Sequence, residues 1–274
     1  MNDPLVSIII PLYNTEKYIE KAINSVINQT YKNWQLIVID DCSTDDSLNI
    51  VLKIRKQNNF SNEKMVIKRM KKNMGTYVAL NIGLKLAKGK FFGVLGSDDI
   101  YLPEKLHIQI EEFKKNTELV CVMGKFKRVD LEGNITADLD VTKDSMKNGI
   151  FGECTALYSM SLLDKIGYYD CVRYGADTNF FLRIYKYCGN NNNFKRIKKL
   201  LYVAVKRPDR LTLDSTRNNR LIYVRNFKEW LNQGNYYILL SVIHCKTFLL
   251  SGLNFQKYTF VLSMRHANHS DCLF

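Results

Sequence analysis

The sequence is short of the features that mark several protein classes. Its seven cysteines form no Cys-x-x-Cys pair and are not interleaved with the four histidines, which argues against a zinc site and a disulfide framework and predicts free thiols. No positively charged leader precedes the first apolar run, so a secretory signal is not expected. The longest late apolar stretch, 236–253, is broken by His244 and Lys246, which argues against a membrane-spanning helix. We therefore expect a cytoplasmic location.

Acidic residues are outnumbered by basic ones, 27 to 40, which gives the chain of 274 residues a net charge of +13. Such a charge suits an anionic partner, which can be nucleic acid, a membrane surface or a phosphorylated small molecule. The basic residues are spread over several segments and no nucleic-acid recognition motif is visible, so a nucleic-acid partner is not expected. The basic run 68–72 precedes Asn73-Met74-Gly75, and it is either a phosphate contact or a solvated charge cluster.

Residues 1–102 carry alternating strand and helix patterns. Apolar runs at 6–12, 34–39 and 65–67 predict three strands, and apolar residues at helical spacing predict helices between them. Two β-α-β units in succession are typical of a doubly wound sheet, which binds nucleotides at the carboxyl ends of its strands. Because the second run is followed by Asp40-Asp41, an acid pair is expected at that edge.

A fourth apolar run, 91–95, ends at Gly96-Ser97-Asp98-Asp99. This stretch predicts a buried strand that delivers two carboxylates to the same edge, where they are candidates for holding a divalent cation. The alternative is a simple turn before a helix that begins near Pro103, since Asp suits turns and Pro suits the first helical turn. The residues by themselves leave both interpretations open.

Residues 103–215 predict further helices and strands. A helix is expected from Pro103 to Phe113, and strands are expected at 119–123 and 126–129, followed by a hairpin turn at 130–134. Asp177 heads another predicted helix, and 201–205 is the last predicted strand. Beyond roughly residue 215 the pattern becomes helical.

Motifs along the chain resemble, in order, those of the family-2 inverting glycosyltransferases of the GT-A fold. The matching segments are 6–14, 39–47, 73–75, 87–91, 97–99, 163–170 and 177–183. Each segment alone is weak, and the signal lies in the ordered set over roughly residues 5–212. The resemblance implies an α/β GT-A fold with a mixed, mostly parallel sheet flanked by helices. It implies a catalytic domain at 1–215, with a nucleotide-sugar-binding half at 1–102 and an acceptor-side half at 103–215, and leaves 216–274 as a helical C-terminal extension.

The resemblance also implies donor-binding roles in the first half of the chain. Pro11 and Tyr13 would line the nucleotide base pocket, with the Tyr13 ring packed on the base. Asp41 would accept the imide hydrogen of a uracil, a donor that cytosine lacks, and Gly75 would belong to the same donor site. Asp98 would contact the ribose or a water bound to the cation.

Two further acids carry the chemistry that the resemblance implies. Asp99, in a Ser-Asp-Asp form of the family's Asp-x-Asp-type motif, would bind the cation with Asp98, and such oxygen ligands suit Mn²⁺ or Mg²⁺. Asp177 would be the general base that takes the proton of the acceptor hydroxyl. Structural alternatives remain, with Tyr13 packed in the core, Asp41 capping a helix and Asp177 favoured by a helix dipole.

The chain departs from the family pattern at three places. Ala176 stands where the family usually has Glu before the base, and Gly96 stands where an Asp commonly precedes Ser-Asp-Asp. Segment 205–212 resembles the family's mobile lid but lacks the His often found there, which leaves Lys206 or Arg207 to meet the diphosphate.

The prediction is a metal-dependent inverting glycosyltransferase that moves a sugar from a UDP-sugar to a hydroxyl of a glycan, a lipid-linked or a protein-linked acceptor. One alternative keeps the fold and uses a dTDP- or GDP-sugar, and another is a non-catalytic nucleotide-sugar-binding or scaffold protein. The aromatic and basic residues of 216–274 suit either peripheral contact with a membrane or packing on the parent domain or on a second subunit in a homodimer.

Overall fold

The computed structural model describes residues 3–139, 153–171, 176–188 and 193–207, together with the strand residues 221–223 and 238–240. The strands of the main sheet are β1 (Val6–Leu12), β2 (Trp34–Asp40), β3 (Met65–Arg69), β4 (Phe91–Val94), β5 (Ile100–Tyr101), β6 (Cys121–Val129), β7 (Ile135–Leu139), β8 (Leu157–Ser159) and β9 (Phe194–Val205). The helices are α1 (Ile19–Ile27), α2 (Ser47–Gln57), α3 (Thr76–Leu86), α4 (Lys105–Lys115), α5 (Leu163–Ile166) and α6 (Ala176–Cys188).

The nine strands form one sheet in the order β3-β2-β1-β4-β8-β6-β9-β5, with β7 paired to β6. Strands β3, β2, β1 and β4 are parallel, and β2 is buried along its whole length. Helix α3 packs on β1 and β2, and α1 packs on α2 and β5. Burial on both faces explains why β1 and β2 are continuous apolar runs rather than alternating ones. The predicted α/β sheet of 1–102 is therefore correct.

In the parallel half of the sheet, the chain adds strands first on one side of β1 and then on the other. From β1 the chain moves to β2 and β3 on one side, whereas β4 lies on the other side of β1. The carboxyl ends of β2, β1 and β4 consequently open at one edge, at the switch point where α/β sheets bind ligands. The acids expected at strand ends follow β2 and β4, so the topology brings them to this edge.

The second half of the sheet is mixed. Strand β6 pairs in parallel with β9 and antiparallel with β7 and β8, while β5 is antiparallel to β9. The prediction of two strands at 119–123 and 126–129 is wrong, because β6 runs unbroken past Gly124 with a shift in its register against β9. The predicted turn at 130–134 does join β6 to β7. The predicted last strand begins earlier than expected, at Phe194.

Little of the predicted helical extension falls within the described residues. Segments β10 (Leu221–Tyr223) and β11 (Ile238–Leu240) pair as antiparallel strands and are not helical, and the rest of 216–274 lies outside the described residues. Within the described part of the chain, no helix is long and apolar enough to span a membrane. The cysteines at 42, 121, 154 and 188 keep their thiols, whereas Cys171 is disulfide-bonded, so the expectation of free thiols is wrong for Cys171.

Candidate active site

Asp41 follows directly after β2 and is almost fully buried at the carboxyl edge of the sheet. Its Oδ1 accepts a hydrogen bond from the backbone N–H of Met74 at 2.7 Å, and its Oδ2 accepts one from Gly75 at 2.8 Å. These two bonds fix the orientation of the carboxylate. Each carboxylate oxygen has two lone pairs, so this arrangement leaves acceptor capacity for a ligand N–H.

Gly75 has a φ of 93° and precedes the first residue of α3. This left-handed backbone conformation suits glycine, because a Cβ makes it strained for other residues. It turns the amides of Met74 and Gly75 towards Asp41, so two of the predicted donor-site residues, Asp41 and Gly75, are in direct contact. Asp40 differs from its neighbour, since its fully buried carboxylate accepts the Ser43 N–H and pairs with Arg69 at 3.4 Å.

Tyr13 lies just beyond the end of β1, next to the loop that carries Asp41. Pro11 is opposite Ile39 of β2, and the side chain of Asn14 ties the two loops together by accepting the N–H of Thr44 at 2.8 Å. The Tyr13 side chain is 38% exposed, which excludes the alternative that it is packed in the core. An exposed aromatic ring at this edge can stack on a planar base.

Strand β9, in the second half of the sheet, holds the Asp99 side chain in place. Its Oδ1 accepts the N–H of Val205 at 2.9 Å, and its Oδ2 accepts the hydroxyl of Tyr202 at 2.6 Å. Burial, together with the nearby Asp99 charge, raises the pKa of Tyr202 well above its ordinary value, so the hydroxyl stays protonated and donates. The same hydroxyl accepts the N–H of Gly96 at 3.3 Å, and it thereby joins the two ends of the Gly-Ser-Asp-Asp turn.

Asp98 faces the segment that follows β9. Its Oδ2 accepts a hydrogen bond from Nε of Arg207 at 2.7 Å, and the Arg207 guanidinium carbon lies 5.5 Å from the ring centre of Tyr18. Both partners of this ion pair are largely shielded, with side-chain exposures of 10% for Arg207 and 17% for Asp98. Shielding from water strengthens the attraction between the two charges.

Gly96 accounts for one of the departures from the family pattern. A Cβ at this position would lie 2.7 Å from Oδ2 of Asp99 and 3.1 Å from Oδ1 of Asp98. An aspartate here would therefore require both acids to move. Glycine at position 96, in place of the common Asp, therefore fits a turn in which the carboxylates of Asp98 and Asp99 lie close to the backbone of residue 96.

A divalent cation fits the donor set at this turn, provided that the ligand supplies further oxygens. Within the described residues, no group of three or more His, Cys, Asp or Glu side chains could hold a metal ion without other ligands. Oδ1 of Asp98 accepts no hydrogen bond from the described residues, and carboxylate and diphosphate oxygens together suit Mn²⁺ or Mg²⁺. Each Asp99 oxygen accepts one hydrogen bond and has two lone pairs, so both acids of the turn are candidate ligands.

Asp177 is exposed in the first turn of α6, between the buried residues Ala176 and Asn179. Phe180, one turn further on, stacks on Tyr169 at a centroid distance of 4.1 Å and meets Tyr158 edge-on at 5.8 Å. Tyr158 in turn packs against Phe92 of β4 at 5.0 Å. This aromatic series fastens the Asp177 helix to the strand that leads into the acid turn.

Two further contacts position the start of α6. The Asn81 side chain of α3 donates to the carbonyl of Tyr169 at 2.8 Å and accepts its N–H at 3.0 Å, which holds the segment before the helix. Asn179 donates to Asp170 of the same segment. Ala176 is fully buried, so the Glu usual at this position would lose its hydration here, which gives the departure at 176 a physical reason.

Sequence reasoning missed Tyr202 and Tyr18, and it named Arg207 only as an alternative to Lys206. The sequence offered one weak signal for Tyr202, a phenol within the apolar run 201–205, because a buried Tyr usually needs a hydrogen-bond partner. Lys206 is exposed, whereas Arg207 is buried against Asp98 and Tyr18.

Comparison with known proteins identifies relatives. Residues 7–167 match the family described as Glycosyl transferase family 2. The chain is 34% identical over 172 residues to the Escherichia coli UDP-Glc:alpha-D-GlcNAc-diphosphoundecaprenol beta-1,3-glucosyltransferase WfgD, which covers 61% of this chain and 65% of that enzyme. This chain spans only 19%, 59% and 52% of the lengths of three other curated relatives.

Two solved structures share the fold. One is S. aureus TarS 1-349 in complex with UDP-GlcNAc, at a TM-score of 0.62 and 26% identity, covering 75% of this chain and 59% of that one. The other is the mannosyltransferase PcManGT from Pyrobaculum calidifontis in complex with GDP-Man and Mn²⁺, at a TM-score of 0.58 and 18% identity, covering 77% and 59%. The predicted GT-A architecture is confirmed, and the chain belongs to glycosyl transferase family 2.

Proposed function

We propose that this glycosyltransferase moves a sugar from a UDP-sugar to an acceptor hydroxyl in one displacement that inverts the anomeric carbon. The observation that carries the proposal is the buried Asp41 carboxylate, held by the amides of Met74 and Gly75 beside the exposed Tyr13 ring. Stacking of a base on Tyr13 and donation of a uracil imide hydrogen to Asp41 would select UDP. The UDP-Glc of WfgD and the UDP-GlcNAc bound to TarS support the same donor class.

In the proposed reaction, the oxygen of the acceptor hydroxyl attacks the anomeric carbon, and Asp177 accepts the proton that this hydroxyl loses. The bond between that carbon and the diphosphate oxygen breaks, and its electron pair leaves with UDP. Because attack comes from the face opposite the leaving group, the anomeric configuration is inverted. The relative WfgD is named for an undecaprenol-linked acceptor, and we propose a glycan or lipid-linked hydroxyl as the acceptor here.

We propose that Asp99 and Asp98 together hold Mn²⁺ or Mg²⁺, with Tyr202 and Val205 fixing the Asp99 carboxylate through their hydrogen bonds. When bound, a divalent cation stabilises the negative charge that develops on the departing diphosphate. The Mn²⁺ bound in the PcManGT complex supports such a requirement within this fold. Both acids of the turn therefore contribute to donor binding.

Calorimetric titration with UDP, in the presence and absence of Mn²⁺, tests this proposal. We expect UDP binding that needs Mn²⁺ and that is lost in Asp98→Ala, with Asp46→Ala, an exposed acid at the start of α2, as a control that binds normally. Binding of GDP or dTDP in place of UDP would refute the assignment of the base pocket. If no nucleotide binds, the chain is a non-catalytic member of the fold and the proposal fails.

A further inference from the structure

Helix α3 has contacts on both sides of the proposed reaction. Gly75, directly before its first residue, donates its backbone N–H to the Asp41 carboxylate at 2.8 Å. Further along the helix, the buried side chain of Asn81 donates to the carbonyl of Tyr169 at 2.8 Å and accepts the N–H of the same residue at 3.0 Å. One helix therefore contacts the proposed base pocket at its start and the segment before Asp177 from its interior.

The ring of Tyr169 packs against both α3 and α6. Tyr77, one turn before Asn81 on α3, stacks on it at a centroid distance of 5.9 Å and an interplanar angle of 25°. Phe180 of α6 stacks on it at 4.1 Å and 21°. Because closely packed side chains transmit a displacement to their neighbours, a shift of Tyr169 would disturb the packing of both helices.

The proposed base lies close in the chain to the residues that make these contacts. Phe180 follows Asp177 by three positions, and residues at this spacing are neighbours on a helix surface. Asn179, between them, donates to Asp170, which follows Tyr169 directly. The start of α6 is thus held by the segment of Tyr169 and Asp170, and that segment is held in turn by α3.

We propose that Asn81 is a positioning residue, which places the base Asp177 relative to the donor bound at Asp41. This inference rests on the proposed function, because it takes Asp177 as the base. The contact requires an amide, since this group donates and accepts at once, whereas an ionised carboxylate only accepts. Without Asn81, the buried N–H and carbonyl of Tyr169 lose these two bonds, so the segment shifts and the base shifts with it.

Two substitutions of Asn81 separate the contributions of the two hydrogen bonds. Asn81→Leu removes both bonds and keeps a side chain of similar size. Asn81→Asp keeps an acceptor for the N–H of Tyr169, but its second carboxylate oxygen faces the Tyr169 carbonyl and repels it. Once protonated, the same carboxyl group donates to that carbonyl, so acid should restore the pair of bonds.

The acid effect on Asn81→Asp is measured as the ratio of its rate to the wild-type rate at each pH. This ratio cancels the titration of Asp177 and of Asp170, which both proteins share. The phenols of Tyr77 and Tyr169 lie next to position 81 on the two contacting segments. Cys171, whose sulfur lies 3.7 Å from the Asn81 amide nitrogen, is disulfide-bonded and does not titrate.

Gln35 provides the matched controls, Gln35→Leu and Gln35→Glu. Its amide is also buried and joins separate segments, since it accepts from the Ser7 hydroxyl at 2.9 Å and from the Lys88 N–H at 3.1 Å and donates to the carbonyl of Glu63 at 3.1 Å. It lies near the start of β2, whereas Asp41 follows the end of that strand. These variants therefore lose a comparable buried network away from the site.

The experiment combines three measurements on each folded variant. Release of UDP from UDP-Glc or UDP-GlcNAc, with water as the acceptor, gives kcat without the need to identify an acceptor. Calorimetry gives the affinity for UDP, and thermal melting confirms folding. Hydrogen–deuterium exchange of the α6 amides reports how firmly that helix is held, and this readout does not depend on activity.

We expect Asn81→Leu to lower kcat by about 10- to 100-fold with unchanged UDP affinity, since a misplacement of about 1 Å can cost about 100-fold in rate. The α6 amides should exchange faster in this variant, and the relative rate of Asn81→Asp should rise as the pH falls. Both Gln35 variants should melt at lower temperature, keep the wild-type kcat and α6 exchange, and show no such rise.

Wild-type kcat in a folded Asn81→Leu, alongside an inactive Asp177→Asn, would overturn this inference and leave the proposed function intact. If the wild type neither binds UDP nor consumes either donor, the proposed function fails instead. Exchange of α6 is then the deciding measurement, and equal exchange in Asn81→Leu and Gln35→Leu would overturn this inference as well.

Discussion

The hydroxyl of Tyr202 donates a hydrogen bond to Asp99 over 2.6 Å, although 103 positions separate the two residues along the chain. It also accepts the N–H of Gly96, so one buried phenol fixes both ends of the acid turn. The position of the acids is therefore set by the second half of the sheet as well as by the strand that precedes them.

Tyr202→Phe should weaken donor binding and lower stability. The change removes the hydroxyl that serves both Asp99 and the Gly96 amide, and an unsatisfied buried group costs about 1–3 kcal/mol. We expect a lower free energy of unfolding in urea and weaker binding of UDP with Mn²⁺. Tyr101→Phe is the matched control, because its equally buried hydroxyl donates to the carbonyl of Val94 and not to the acids. Equal loss of UDP affinity in both variants would contradict the role of Tyr202.

Asp41→Asn should impair UDP binding specifically. The amide nitrogen of Asn would face the N–H of Met74 or of Gly75, so one favourable contact becomes a repulsive one. We expect UDP affinity to fall by about 10- to 100-fold, the equivalent of one lost charged hydrogen bond. Calorimetry checks this, with Asp46→Asn on the neighbouring exposed turn as the control. Wild-type affinity in Asp41→Asn would remove Asp41 from the base pocket.

Asp177→Asn should abolish transfer and leave UDP binding intact. Loss of a general base lowers kcat by about 10²–10⁴-fold, whereas the donor site lies on other elements. Release of UDP in the presence of acceptor and calorimetric UDP affinity together test this separation. Asp164→Asn, an exposed acid in the first turn of α5, should behave like the wild type. A transfer rate in Asp177→Asn close to that of the wild type would move the base to another residue.

Lys105 predicts a pH dependence of stability. Its fully buried ammonium group donates to Oε1 of Gln109 at 2.7 Å, and burial lowers its pKa from 10.5 to about 7. Between these two values the unfolded chain binds a proton that the folded chain has released, so the free energy of unfolding rises as the pH increases from 7. We expect this rise up to about pH 9, above which burial of Cys188, whose pKa is raised to about 12, acts in the opposite direction.

Urea unfolding of the wild type and of Lys105→Met between pH 7 and 9 measures this contribution. The methionine carries no charge, so its slope against pH should be smaller, and the difference between the two proteins isolates the lysine. Lys21→Met, at an exposed position on α1, should keep the wild-type slope. Identical slopes for wild type and Lys105→Met would show that the lysine stays protonated in the fold.

The parallel half of the sheet and its edge could be predicted because their determinants are local. Buried parallel strands are continuous apolar runs; Asp41 follows one directly, and Asp98 follows another after the short segment 95–97. The contributions of β9 were out of reach, because pairing between segments a hundred positions apart has no local pattern. Gly124 was similarly misleading, since a glycine that interrupts an apolar run looks like a turn although here it lies beside Leu201 within a register shift.

The late arrival of β9 also orders the events of synthesis. Every residue proposed to contact the nucleotide base has been synthesised once α3 is complete, whereas Tyr202, Val205 and Arg207 come 103 to 109 residues after the acids that they hold. A nascent chain therefore contains every residue of its base pocket long before it contains the residues that restrain its acid turn.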